Sequence, residues 1–218
     1  MARIARIVLP RKPHLICQSS DQSIFNSDKR RRAYLDILAD CAATYKVKVL
    51  AWSVLRKRSF LVVTPPSAEA LSSFMRVAHT RYARMLHASG FKGEVTPRRF
   101  ASCALDNPTA LEAIKYVELQ PVAARLAKTA TAYAYGSAAV RTKSGGHARE
   151  MLTVVKAVTG KVRGWAKWLK DALPKERQDY LAMRMRTGKP AGRPAFVRGV
   201  EKIVGMNLSR GRGRPRKS

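Results

Sequence analysis

Strand-like and helix-like segments alternate along the first 126 residues, and this alternation constrains the fold more than any other feature. The strand-like runs lie at 14–18, 47–54, 59–64 and 99–105, and the second and third of them are rich in β-branched residues. The helix-like segments, in which apolar residues recur every three or four positions, lie at 28–45, 67–89 and 107–121. The order strand, helix, strand, strand, helix, strand, helix predicts an α+β sandwich, with helices packed on a small, mostly antiparallel sheet.

Capping residues predict where these helices begin and end. Asn26-Ser-Asp28 and Ser67 carry side-chain oxygens that accept from the free amides of a first turn. Asn107-Pro108 predicts a third start, with asparagine as the cap and proline at the first helical position. Pro121 lacks an N–H and is expected to break that helix.

The remaining chain divides by composition. Residues 1–143 are predicted to form the sandwich domain, which ends in a link of small residues. Residues 144–183 are predicted to form a helical segment. Its residues Trp165, Trp168 and Leu169 are either packing anchors or a stacking surface for bases. Residues 184–218 form a basic tail with one acid, Glu201. Such a tail is expected to be mobile or laid along phosphate.

Charge identifies the class of partner. The chain has 43 Lys and Arg against 14 Asp and Glu, a net charge of +29, with 46% hydrophobic residues. That apolar fraction excludes a wholly disordered basic protein. No run approaches the roughly 18 apolar residues of a membrane span, and the first residues do not read as a signal peptide. The expected partner is therefore DNA, in the bacterial cytoplasm and associated with the nucleoid, with no membrane contact.

The last residues contain a short motif for DNA. Arg212-Gly-Arg-Pro215 is similar to an AT-hook, in which glycine lets the backbone lie flat in a narrow minor groove beside A·T pairs. The alternative is a generic basic tail. Both interpretations predict DNA binding.

Tyr116 is the candidate for chemistry. Leu111, Ile114 and Val117 form the inward face of its helix, and Tyr116 projects away from that face on the side of Gln120. A tyrosine so placed is able to attack a phosphodiester and form a phosphotyrosine link. The alternative is that it only packs.

Several segments together resemble the REP-associated tyrosine transposases, a branch of the single-tyrosine HUH transposases. The Tyr block Tyr116-Val-Glu-Leu-Gln-Pro-Val122 is similar to the family's Tyr-Ile-x-Leu-Asn-Pro-Val. Further matches are Asp28-Lys-Arg-Arg-Arg-Ala-Tyr-Leu35, Arg81-Tyr-Ala-Arg84 and the Thr187-Gly-Lys-Pro-Ala-Gly192 block of the tail. The resemblance covers nearly the whole chain.

The resemblance implies a ferredoxin-like, HUH-type sandwich, here followed by a helical, basic C-terminal extension. Family members recognise hairpin and adjacent single-stranded DNA, and occur as monomers or dimers. They cut one strand by tyrosine attack, with a divalent metal held by two histidines of a His-hydrophobic-His strand and a polar residue one turn past the tyrosine. Carried over, Tyr116 matches the nucleophile and Gln120 the third ligand.

The metal motif is where this chain departs from the family. Arg58 and Phe60 stand in the two histidine places, and neither side chain has a lone pair for Mg²⁺ or Mn²⁺. The four histidines, His14, His79, His87 and His147, are scattered and replace neither ligand. We therefore expect no metal and no other cofactor, and Tyr116 as a vestigial nucleophile.

The sequence thus predicts a catalytically inactive, transposase-derived protein that binds hairpin, single-stranded or end-containing DNA. The predicted DNA-binding residues are Arg30, Arg31, Arg32, Arg56, Lys57, Arg58, Arg98, Arg99, Arg193, Arg210, Arg212, Arg214, Arg216 and Lys217. Such a binder, carried by a phage or another mobile element, is expected to obstruct a host helicase–nuclease that loads on DNA ends. Two alternatives stay open: an active nuclease that uses Tyr116 with fixed positive charge, and a protein-binding module that docks on a partner's DNA channel.

Overall fold

The computed structural model describes residues 6–96, 98–160, 162–206 and 208. In this part of the chain, the strands are β1 (His14–Ser19), β2 (Lys48–Val54), β3 (Arg58–Thr64) and β4 (Ala101–Ala104). The helices are α1 (Asp28–Thr44), α2 (Ala68–Ala88), α3 (Asn107–Ala123), α4 (Ser137–Arg141), α5 (Lys156–Thr159), α6 (Trp165–Trp168), α7 (Lys175–Thr187) and α8 (Pro194–Val204). No helix of the described residues is long and apolar enough to cross a bilayer.

The four strands form one antiparallel sheet in the order β2-β3-β1-β4. β2 and β3 are joined by the basic turn 55–57, which closes with a bond from the Leu55 amide to the Arg58 carbonyl at 2.7 Å. β1 lies between β3 and β4, with Cys17 opposite Phe60. The α+β, ferredoxin-like sandwich predicted from the sequence is confirmed.

Both faces of the sheet are covered. Since neighbouring residues of a strand point to opposite faces, Ile16 and Leu61 pack on one side, where α1 and α2 lie. Leu15 and Val62 pack on the other side against α3, α5 and α7. Double coverage explains why successive strand residues are buried on both faces instead of alternating between buried and exposed.

The start and end of α3 differ from the prediction. Asp106, not Asn107, is the cap, and its Oδ1 accepts from the Thr109 amide at 3.0 Å. Pro121 does not break the helix, which ends at Ala123. Proline removes a single amide donor here, and the bonds from Ala124 to Gln120 and from Leu126 to Pro121 complete the last turn.

The region after α3 is less regular than predicted. Instead of one long helical stretch, short helices α4, α5 and α6 precede α7, which crosses the expected boundary between 183 and 184. Residues 184–206 are folded: α8 buries Val197 and Val200, and Val200 belongs to the apolar cluster that contains Ala104. The expectation of a mobile tail is wrong for these residues, because α8 has an apolar face that the charge count conceals.

Candidate nucleic-acid interface

The structure brings Tyr116, Phe60 and Gln120 together. Tyr116 is half-buried on α3, and its ring lies edge-on to that of Phe60, with 6.0 Å between the centroids. Gln120 follows one turn later, and its Nε2 donates to the Tyr116 carbonyl at 3.2 Å. Alternation along β3 places Arg58 on the same face of the sheet as Phe60. Two strand positions and one helical turn therefore bring Arg58, Phe60, Tyr116 and Gln120 to one region of the molecule.

The electrostatics of the site favour a neutral phenol. Burial raises the pKa of Tyr116, the Cys17 thiol adds to this, and the Arg58 guanidinium acts in the opposite direction. The pKa of Cys17 is itself raised to about 11, chiefly by burial. A nucleophilic tyrosine must lose its proton. This environment therefore makes loss of the Tyr116 proton less favourable than it is for an exposed tyrosine.

The residues at the family's metal positions do not fit a divalent ion. A guanidinium at Arg58 and a phenyl ring at Phe60 offer no lone pair, which leaves the Gln120 amide as a single weak ligand. In the described part of the chain, no three His, Cys, Asp or Glu side chains cluster as a metal site would need. His14 and His79 are buried, and each is hydrogen-bonded to another group. His147 Nε2 lies 2.6 Å from Asp36 Oδ1.

An open basic pocket of about 590 Å³ lies between the β2–β3 turn and the end of α3. Its positive side chains are Arg56, Lys57, Arg58 and Arg125, and its remaining lining, Ser23, Leu55, Ala124 and Leu126, is uncharged. The three side chains from the turn are exposed. Arg125 was missed by the sequence analysis; it has a left-handed backbone, with φ of 55°. The pocket offers four cations to a phosphate group.

A second cavity of about 500 Å³ lies beside Tyr116, between α3 and the segment that follows it. Leu119, Ala130, Leu169 and Leu173 give it a largely apolar lining, and Gln120 and Gln178 add amides. Tyr116 itself lines this apolar cavity.

Among Arg30–Arg32, the structure separates one arginine from the others. Arg32 is exposed, and Arg30 contacts the Asn26 amide oxygen at 3.1 Å. Arg31 is 9% exposed, pairs with Asp28 at 3.1 Å and lies over the Tyr135 ring. Arg31 is therefore less accessible to DNA than Arg32, and its contact with DNA stays a prediction.

The other predicted contacts fall into three groups. Arg98 and Arg99 are exposed, and Arg98 approaches Asp21 at 3.5 Å. Arg193 caps α8, and both its amide (3.0 Å) and its Nε (3.2 Å) donate to Asp106, so it links α8 to the start of α3. Outside the described residues lie Arg210, Arg212, Arg214, Arg216 and Lys217, including the AT-hook-like motif.

A buried polar network supports α3 beneath the tyrosine. Glu118 is 1% exposed, and it accepts from Ser137 Oγ at 2.6 Å, Arg141 Nε at 3.2 Å and Trp165 Nε1 at 2.6 Å. Arg141 also donates to the Leu50 carbonyl and lies under the Trp165 ring. Trp165 is thus a packing anchor and not a free stacking surface. The network ties α4, α6 and β2 to the helix that carries Tyr116.

Comparison with solved structures supports the fold. A REP-associated tyrosine transposase bound to a REP hairpin superposes with a TM-score of 0.55 at 16% identity, covering 75% of this chain and all of that one. A candidate transposase from Deinococcus radiodurans R1 matches at 19% identity over 55% of this chain and 98% of that one, with a TM-score of 0.38, and no argument rests on it. No family model and no curated protein matches the sequence. In its fold, this chain is therefore similar to a REP-associated tyrosine transposase.

Proposed function

We propose that this chain is a transposase-derived DNA-binding protein that holds hairpin or single-stranded DNA without cutting it. One observation carries the proposal: Tyr116 lies against Phe60, with Arg58 on the same sheet face. The resemblance to cutting transposases implies a nucleophile at Tyr116 and metal-binding histidines in the places of Arg58 and Phe60. Without a Lewis acid, several kcal/mol of stabilisation at the reacting phosphate are missing. The cations that remain are suited to holding phosphate.

The choice of DNA as ligand rests on charge and on the structural neighbour. The net charge of +29 favours a polyanion, and four cations line the open basic pocket at the β2–β3 turn. The similar transposase is bound to a REP hairpin. A DNA hairpin with a single-stranded extension is therefore the proposed ligand.

We expect wild-type protein to retain a hairpin oligonucleotide in a native gel but to form no covalent adduct with it in the presence of Mn²⁺. Fixed charge at Arg56–Arg58 binds phosphate, whereas the neutral phenol of Tyr116 has no metal-polarised phosphorus to attack. Denaturing electrophoresis of the labelled DNA detects any protein–DNA link.

Tyr116→Phe is the matched control, because it removes a single hydroxyl. Both proteins should give the same shift in the native gel, and neither should give a protein–DNA adduct on the denaturing gel. An adduct that forms with wild type and disappears with Tyr116→Phe overturns the inactive assignment and establishes the active nuclease instead.

A finer proposal is that the bound protein obstructs a host helicase–nuclease at DNA ends. It is supported by the combination of a phosphate-holding pocket with a site unsuited to cutting. We expect wild-type protein to slow degradation of a linear duplex at least tenfold once the ends are saturated, as measured by release of acid-soluble label. The triple variant R56Q/K57Q/R58Q should lose this effect, because it loses phosphate contacts.

Lys48→Gln with Arg149→Gln is the control for charge loss, since both residues are exposed and neither lines the basic pocket. This variant should obstruct the enzyme as wild type does. Obstruction that survives the triple substitution, together with a helicase–nuclease pull-down that survives nuclease treatment, contradicts DNA occlusion and favours the protein-docking alternative.

A further inference from the structure

We propose a second phosphate-binding groove on the face of the sheet opposite Tyr116, with the DNA phosphodiester backbone as its ligand. This groove, the α2 groove, is formed by the outer side of α2, the segment 98–100 and Arg6. The inference rests on the proposed DNA binding and adds a separate contact to it.

The shape of the α2 groove suits a strand of nucleic acid. It is open and has a volume of about 540 Å³. Arg76 and Arg84 lie on one side of α2, eight residues apart, and are exposed. Eight residues of helix advance about 12 Å, which matches three to four steps of about 3.4 Å along one DNA strand. The two guanidinium groups are thus spaced along a backbone, not around one ion.

The opposite wall adds three more arginines. Arg98 and Arg99 are exposed there, and the Arg6 guanidinium stacks on the Phe100 ring, 3.4 Å from its centroid, while donating to the Phe100 carbonyl at 3.0 Å. This stacking fixes the Arg6 side chain instead of leaving it free in solvent.

Like charges crowd each other in the α2 groove. Burial, and then the neighbouring Arg99, lower the pKa of Arg6 to about 10. The lining contains no aspartate or glutamate; Asp21, which contacts Arg98 at 3.5 Å, is the nearby acid that the described contacts show. Five arginines held together with so little compensation favour a polyanion, whose phosphates supply the missing charge.

The α2 groove is separate from the tyrosine site. α2 packs its inner residues Phe74 and Met75 on the sheet face that contains Trp52 and Leu61, whereas Phe60 and Tyr116 pack on the other face. A DNA hairpin that contacts both sites must therefore pass an edge of the sheet, or two DNA segments must bind at once.

The test is the salt dependence of binding to a fluorescent hairpin oligonucleotide, measured by anisotropy between about 0.05 and 0.2 M salt. The double variant R76Q/R84Q should bind about tenfold more weakly, with a salt slope smaller by about two. The variant R76K/R84K should keep the slope, because charge and not geometry sets it. All variants should melt at the wild-type temperature, since both side chains are exposed.

The K48Q/R149Q control removes equal charge at a distance. Lys48 is in β2, at the edge of the sheet remote from β4, and the segment after Arg149 pairs with β2 through Val49 and Leu152. It should leave the slope almost unchanged. If R76Q/R84Q behaves like this control while wild type binds DNA, the α2 groove is not a phosphate site and the proposed function stands. If wild type itself does not bind the hairpin, the proposed function fails, and this inference fails with it.

Discussion

Glu118→Gln is expected to lower the free energy of unfolding by about 3–5 kcal/mol, because it leaves the buried Arg141 guanidinium without its counter-charge. The carboxylate accepts from three donors, Ser137, Arg141 and Trp165. Glutamine keeps the shape but replaces one acceptor oxygen with an amide donor. One of the three groups must then face another donor.

The Glu118 network is best satisfied by the ionised carboxylate and not by the protonated, neutral acid. Complete burial raises the pKa of Glu118, while Arg141 and the hydrogen bonds from Ser137 and Trp165 act against that rise. All three neighbours donate, so a carboxylate satisfies them better than a neutral acid does. The negative charge of Glu118 therefore helps to fix α4 and α6 against α3.

Urea titration followed by tryptophan fluorescence measures the effect, with Glu112→Gln as the control on the same helix. Arg177 Nε donates to the Glu112 carboxylate at 3.0 Å, but both side chains are more than a third exposed. Loss of that pair should cost at most about 1 kcal/mol, because water screens and replaces it. If the two variants unfold at the same urea concentration, the network beneath Tyr116 does not stabilise the fold as argued.

The sheet and its first three helices could be predicted from the sequence because local pattern determines them. Apolar runs mark β1 to β4, and Ser27 and Ser67 cap the helices that they were expected to cap. The place of Tyr116 beside Phe60 was predictable for the same reason, since strand alternation and one helical turn, read through the family resemblance, bring them together.

The features that the sequence did not predict depend on contacts between distant residues. Asp106 serves α3 and α8 at once, through an arginine 87 positions later, and its neighbour Asn107 was the stronger local signal. Arg31 belongs to a run of basic residues that is typical of DNA contact, yet Asp28 and Tyr135 bury it. The α2 groove collects its arginines from three separate segments. A helical spacing of eight between Arg76 and Arg84 was the sole local signal for it.

The stability of the fold should fall steeply as the pH drops from about 6.5 towards 4, because two buried histidines are held in their neutral form. Burial lowers the pKa of both His14 and His79 to about 4. His14 donates from Nδ1 to the Lys12 carbonyl at 2.8 Å and accepts from the Leu9 amide at Nε2. Protonation of Nε2 would therefore place its N–H against the Leu9 N–H, so that two donors face each other. His79 Nε2 lies 3.1 Å from the Tyr34 hydroxyl.

The direction of this pH dependence follows from the difference in bound protons between the unfolded and the folded chain. Between pH 4 and about 6.5 the unfolded chain, with ordinary histidines, binds more protons than the folded one, so acid favours unfolding. Stability is full above about pH 6.5 and declines by about 3 kcal/mol for each histidine as the pH approaches 4. Urea midpoints at pH 7.0, 5.5 and 4.5, which span about the titration range of the unfolded histidines, measure the decline. His79→Phe, which preserves the ring packed against Tyr34, should show about half of it. A wild-type midpoint that is flat over this interval contradicts the assignment of both buried rings as neutral.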